Sequence, residues 1–149
     1  MTETVQVKEA ATEEELQQIL ALRYEILRKP WNQTFDSARD ELEAVSINAY
    51  ITGEGEQTLA CGRLQKNDPD TGQVRYMAVA AVAQGRGLGK TILRYLEGKG
   101  KDWGLKTIQL QARVNAVDFY KSQGYEVVEK TFLLWGKIQH FLMQKKLSA

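Results

Sequence analysis

The stretch from Gln73 to Ala112 constrains the fold most. "QVRYMAV" reads as a strand, "QGRGLGK" as a glycine-rich turn, "TILRYLEGKGKDWG" as a helix and "TIQLQA" as a second strand. Ile92, Leu93 and Leu96 give the helix one apolar stripe, and Gly104 supplies a terminator. Strand, helix and strand in that order form a crossover within one sheet.

Hairpins flank the crossover. "VSINAYIT" and "TLACGRLQ" border the glycine-rich "GEGEQ", and "NDPDTG" turns the chain into the next strand. Downstream, "AVDFYKSQG" is a short helix ended by Gly124, and "YEVVEKTFLL" pairs with "HFLMQKKL". Upstream, "VQVK" is a short strand. Thr12 and Glu15 have capping-box spacing, and Leu16, Ile19, Leu20, Ile26 and Leu27 repeat at helical spacing until Pro30. "SARDELEA" forms a second short helix. The order β-α-α-β-β-β-α-β-α-β-β predicts a mixed α/β fold, a central sheet flanked by helices. The 149 residues make one domain, 1–149.

Composition excludes several classes. Twenty basic residues against nineteen acidic give a formal charge of +1, which argues against a general nucleic-acid binder. One cysteine, Cys61, permits neither an intrachain disulfide framework nor a cysteine zinc cluster. One histidine, His140, rules out a histidine-rich site, so no metal is expected. "MTETVQVKEA" is not a basic-then-apolar leader, and no apolar run approaches the roughly 20 residues of a membrane span. A cytoplasmic protein without membrane partners is expected.

The glycine loop "QGRGLGKT" suits an anion. Gly85, Gly87 and Gly89 leave the backbone unshielded, the next helix offers orphan N–H groups with partial positive charge, and Arg86 and Lys90 add full charges. A phosphate P-loop needs a glycine where Gln84 stands, and "TIQLQA" has no carboxylate for magnesium. The dinucleotide fingerprint fails because Lys90 or Ile92 takes the third glycine position. A plain tight turn into a helix is the other reading.

Val79 and the run from Gln84 to Gly89 resemble the acyl-CoA loop of the GNAT superfamily of N-acetyltransferases, whose core [QR]-x-x-G-x-[GA] is met by Gln84, Gly87 and Gly89. "ARVNAVDFYKSQGY" is similar to the superfamily's second signature, with Ala116, Phe119, Tyr120, Gly124 and Tyr125 matching. The ending "GKIQHFLMQKKL" resembles a bacterial subgroup with "GIPHxxM" there. Arg113 replaces the usual asparagine, Ala81 a frequent proline, and Gln73 stands where some members carry a glutamate base.

The resemblance implies a mostly antiparallel sheet, acetyl-CoA as acetyl donor and a primary amine acceptor, small molecule or peptide. It also leaves room for a homodimer. Met77 and Val79 would pair with the pantetheine arm, and the N–H near Ala78 would polarise the thioester. The amides from Gly85 through Arg86, Gly87, Leu88 and Gly89 to Lys90 would hold the diphosphate, with Gln84 and Phe119 beside them. Tyr120 takes the place of the acid for the leaving thiolate, or is simply packed aromatic surface. His140 is the candidate base, or a structural histidine. Arg63, Arg75 and Arg113 would border the acceptor cleft, binding a substrate carboxylate or pairing with surface acids. Arg23, Tyr24 and Trp31 lie on or after the helix that walls the acceptor side. Cys61 reads as packed rather than nucleophilic. A non-catalytic acyl-CoA sensor is the competing function, an ATP binder the third.

Overall fold

The computed structural model describes residues 5–147; the ends of the 1–149 domain lie outside the described residues. Strand β1 is Lys8–Glu9, helix α1 Glu13–Arg23, β2 Ile47–Thr52, β3 Thr58–Lys66 and β4 Thr71–Val79. Helix α2 is Leu88–Asp102, β5 Thr107–Arg113, α3 Val117–Ser122, β6 Glu126–Leu134 and β7 Ile138–Lys146. All seven strands form one sheet in the order β1-β2-β3-β4-β5-β7-β6. Every pairing is antiparallel except β4 with β5, the two strands joined by the α2 crossover.

Alternation along β3 explains how two helices share one sheet. Cys61 packs with Ile19 and Leu22 of α1. Ala60 and Leu64 pack with Ile92 and Leu96 of α2 on the other face. Between them, Gly62 lets α2 approach closely. A Cβ there would stand 2.5 Å from Met77 Sδ and 2.7 Å from Ile92 Cγ2. The capping box forms as the spacing predicts: Thr12 Oγ1 accepts from Glu15 N–H, and Glu15 Oε1 from Thr12 N–H, both at 3.1 Å.

Three elements differ from expectation. The strand near "VQVK" is two residues, Lys8–Glu9. The first helix runs on past Arg23 as a wide π turn, Tyr24–Arg28, then tightens over Lys29–Trp31. "SARDELEA" is not one helix. Arg39 is extended between two short 3₁₀ turns, because Asp40 and Glu43 are pulled inward to arginines of the sheet and α1. Among the described residues no helix is long and apolar enough to cross a membrane.

Candidate active site

The site begins where two parallel strands part. β4 and β5 pair only through Thr71–Thr107, Gly72–Ile108 and Gln73–Gln109. Beyond these, β4 runs to Val79 and β5 to Arg113 without a shared ladder. A register shift between Cys61 and Arg63 opposite β4, with Tyr76 at φ 57°, bends β4 away. A cavity of about 460 Å³ opens in the gap. Val74 to Met77 form one wall, Leu110 to Arg113 the other; Tyr120, Trp135 and His140 complete it.

The free edge of β4 has a defined polarity. Ala80 N–H donates to Leu59 O at 2.8 Å, and successive residues alternate sides. Val79 and Met77 therefore turn their N–H and C=O groups into the gap. Ala78 turns its own towards β3, where its backbone also meets the Cys61 thiol. Of the strand N–H groups near Ala78, where the thioester donor is expected, its own faces β3 and those of Met77 and Val79 face the gap. Gln84 Nε2 donates to the outward Val79 carbonyl at 3.4 Å and so ties the loop to this edge.

At the far end of β4 lies the head of α2. Gly85 and Gly87 have φ of 83° and 76°, and a Cβ at either would meet nothing within 4 Å. Gly87 is the N-cap and contributes no capping side chain, so the first N–H groups of α2 face open space. Leu88 is buried and anchors the turn; Arg86 and Lys90 are exposed. Gly89 abuts Val79 and Phe119, where a Cβ would sit at 3.6 and 3.7 Å.

Tyr120 and His140 both line the cavity. Tyr120 is buried, packed edge-on to Phe119 at 5.1 Å and Tyr125 at 5.8 Å. Its hydroxyl makes no hydrogen bond among the described residues, and burial pushes its ionisation above the usual phenol range. His140 stacks on Phe132 at 4.5 Å, and its Nδ1 lies 3.0 Å from Ile138 O. A carbonyl only accepts, so Nδ1 carries the proton and Nε2 keeps its lone pair. Burial, together with the Arg113 charge, pulls the imidazole below its ordinary value despite the Ile138 bond.

The arginines divide into two sets. Arg23 and Arg63 are wholly buried and structural. Arg23 donates to Glu43 at 2.8 Å, Asn48 and the Ala38 carbonyl; Arg63 holds Asp40 at 2.7 and 2.9 Å and Glu43 at 3.1 Å. Arg63 is thus withdrawn from the cleft it was expected to border. Arg63 and Arg75 are cross-strand partners, and Asp40 bridges these like charges, reaching Arg75 at 3.2 Å. The Arg63 hydrogen bond leads in bringing the Asp40 carboxyl down to about 2. Arg75 and Arg113 do line the cavity, as does Arg28, which the sequence reading passed over inside the predicted helix. Trp135 was missed too. It sits in the tight β6–β7 turn at φ 52°, 6.5 Å from Trp31. Tyr24 packs on Phe35 instead. Cys61 is buried, and burial raises its thiol to about 11. Among the described residues no three potential metal ligands gather.

Residues 14–125 match the acetyltransferase (GNAT) family. The Bacillus subtilis (strain 168) protein described as Uncharacterized N-acetyltransferase YjcF is 31% identical over 136 residues, 91% of this chain and 96% of its own length. Among solved structures, Escherichia coli ElaA superposes with a TM-score of 0.80 at 19% identity, covering 95% of this chain and 99% of that one. An aminoglycoside 6'-N-acetyltransferase complexed with coenzyme A gives 0.79 at 13%, covering 97% and 98%. The chain belongs to the acetyltransferase (GNAT) family, whose chemistry is acetyl transfer to an amine.

Proposed function

We propose that the protein transfers an acetyl group from acetyl-CoA to a primary amine, which attacks directly while both are bound. The parting of β4 from β5 above an uncapped helix head carries this reading. The unpaired edge of β4 leads from the wall that carries Tyr120 and His140 towards the bare glycine turn at the head of α2.

Acetyl-CoA supplies an acyl thioester, whose carbonyl carbon the amine attacks and whose C–S bond then breaks. The residues present suit that group. The outward N–H and C=O groups of Met77 and Val79 offer ladder partners to an amide-bearing arm. The N–H groups from Gly85 to Lys90 receive a diphosphate, with Arg86 and Lys90 adding charge. Tyr120 presents a protonated hydroxyl to the departing sulfur. His140 Nε2 takes the proton that the attacking nitrogen must lose. Among the described cavity residues His140 is the one side chain that titrates near neutrality, and none is a carboxylate.

That lack of a carboxylate, with Gln73 on the wall, also favours the competing reading of an acyl-CoA sensor. Thiol release from acetyl-CoA over a panel of amines separates the two. Amine-dependent release is expected; tight acetyl-CoA binding without release for any amine would leave the sensor.

Two further outcomes test the parts. Gly89→Val should put methyl groups beside the helix head and weaken acetyl-CoA binding at least tenfold, about 1.4 kcal/mol, measured by calorimetry on a folded variant. Equal affinity would remove the loop from the site. For His140, kcat/KM of the wild type should rise with pH through one ionisation below the ordinary 6.5, because only the neutral ring accepts a proton and burial favours that form. His140→Gln should lose this limb and keep the one set by the amine. An unchanged profile would make His140 structural.

A further inference from the structure

The cavity has a charge it does not balance. Arg28, Arg75 and Arg113 line it, and no Asp or Glu does among the described residues. Arg75 is already paired with Asp40. Arg28 and Arg113 are half-buried and make no ion pair among the described residues. Both donate to the same Leu27 carbonyl, at 3.2 and 3.1 Å, which holds two like charges side by side. Arg28 spends one more donor on Ser37 O at 3.2 Å. A guanidinium has five N–H donors, so most of these remain unused. Burial pulls both groups below the usual arginine value, and each is lowered further by neighbouring guanidiniums.

The surroundings hold this arrangement firmly. Arg28 lies 5.7 Å from the Tyr76 ring centre and 5.4 Å from that of Trp135. Both aromatics sit in left-handed backbone, φ 57° and 52°, which bulky residues rarely adopt. Such strain persists where packing over-determines it, commonly at ligand sites. The π turn of Tyr24–Arg28 is the local device that brings Arg28 to the wall.

We infer that the acceptor amine carries a carboxylate, and that Arg28 and Arg113 receive it in the cavity beside His140. The inference rests on the transferase reading for the word acceptor and on the arginine pair for the anion. A carboxylate offers the bidentate geometry guanidiniums match and neutralises the paired charge. A polycationic acceptor would meet the unbalanced guanidiniums of Arg28 and Arg113, with no acid among the described cavity residues to receive it. The cavity of about 460 Å³ is of small-molecule size.

The test uses matched pairs with the full-length protein. Amino acids are compared with their amides as acceptors, and phosphoethanolamine with ethanolamine. The acid is expected to exceed its amide at least tenfold in kcat/KM. Arg28→Gln and Arg113→Gln should each cut that ratio at least fivefold, through KM for the acid, with acetyl-CoA Kd unchanged. A second readout needs no turnover: N-acetyl amino acids should bind the wild type by calorimetry at least tenfold tighter than their amides, and lose that margin in both variants. Preference for neutral or cationic amines, or a ratio that survives both substitutions, overturns the proposal. Preference for phosphoethanolamine over every amino acid overturns the carboxylate. If no amine is acetylated yet the N-acetyl amino acid margin appears and depends on both arginines, the transferase reading fails and the anion site stands.

Discussion

Tyr120→Phe is expected to lower kcat about 100-fold and to leave the Kd for acetyl-CoA unchanged. The substitution keeps the ring, and with it the edge-on contacts to Phe119 and Tyr125. The hydroxyl has no hydrogen-bond partner among the described residues, so its loss should cost the fold little. What disappears is the hydroxyl, the proposed proton donor on the cavity wall. Burial favours the neutral phenol, so Tyr120 stays protonated through the working pH range. The wild-type rate should therefore show no tyrosine ionisation below pH 10. Steady-state kinetics and a thermal melt are sufficient. A Phe variant within twofold of wild type would mean that the thiolate leaves unassisted or that another donor serves.

Glu43→Ala is expected to destabilise the protein by about 3–5 kcal/mol, read from urea unfolding. Glu43 is buried between Arg23 and Arg63, both wholly buried themselves. Burial pushes its carboxyl up, but the bonds from Arg23 and the charge of Arg63 outweigh that, and the net shift is downward. Removing the carboxylate leaves Arg23 with the Asn48 oxygen and the Ala38 carbonyl but no counter-charge. The Nε atoms of Arg23 and Arg63 already lack partners, so the network has no spare acceptor to offer. Glu43→Gln keeps the shape and an acceptor and should cost less. A loss below 1 kcal/mol in the Ala variant would show the network relaxing around the gap.

The buried network also sets the geometry of the cavity. Tyr76 is faced by the guanidiniums of Arg23, Arg63, Arg75 and Arg28 at 4.2 to 5.7 Å. Its electron-rich ring attracts each of them. The acids Asp40 and Glu43 neutralise the inner pair, Arg23 and Arg63, and leave the excess on the cavity side. A destabilised Glu43 variant should therefore also disturb acceptor binding more than acetyl-CoA binding.

Local rules made much of the architecture legible. The Thr12–Glu15 cap, the α2 stripe and the α2 crossover rest on neighbours a few residues apart, and all form as the spacing predicts. The bare loop from Gly85 to Gly89 is legible for the same reason: positive φ at Gly85 and Gly87 is a property of glycine itself. Tyr120 and His140 were nameable as residues, but their shared wall was not. Long-range pairing decided the rest. Arg23 meets Glu43 across 20 positions and Arg63 meets Asp40 across 23, so nothing in "SARDELEA" announces that its acids turn inward and break the helix. Arg63 and Arg75 looked alike as strand arginines, yet one is sealed in the core and the other lines the cavity. The π turn that delivers Arg28, the bulge that parts β4 from β5, and the side of β4 that faces the gap all depend on which strands meet and in what register. By itself the chain's local chemistry determined most of its elements, their order and the bare glycine turn at the head of α2. Only the tertiary structure decided which charges cancel and which stay unbalanced at the cavity, because charges cancel between groups that folding, not sequence proximity, brings together.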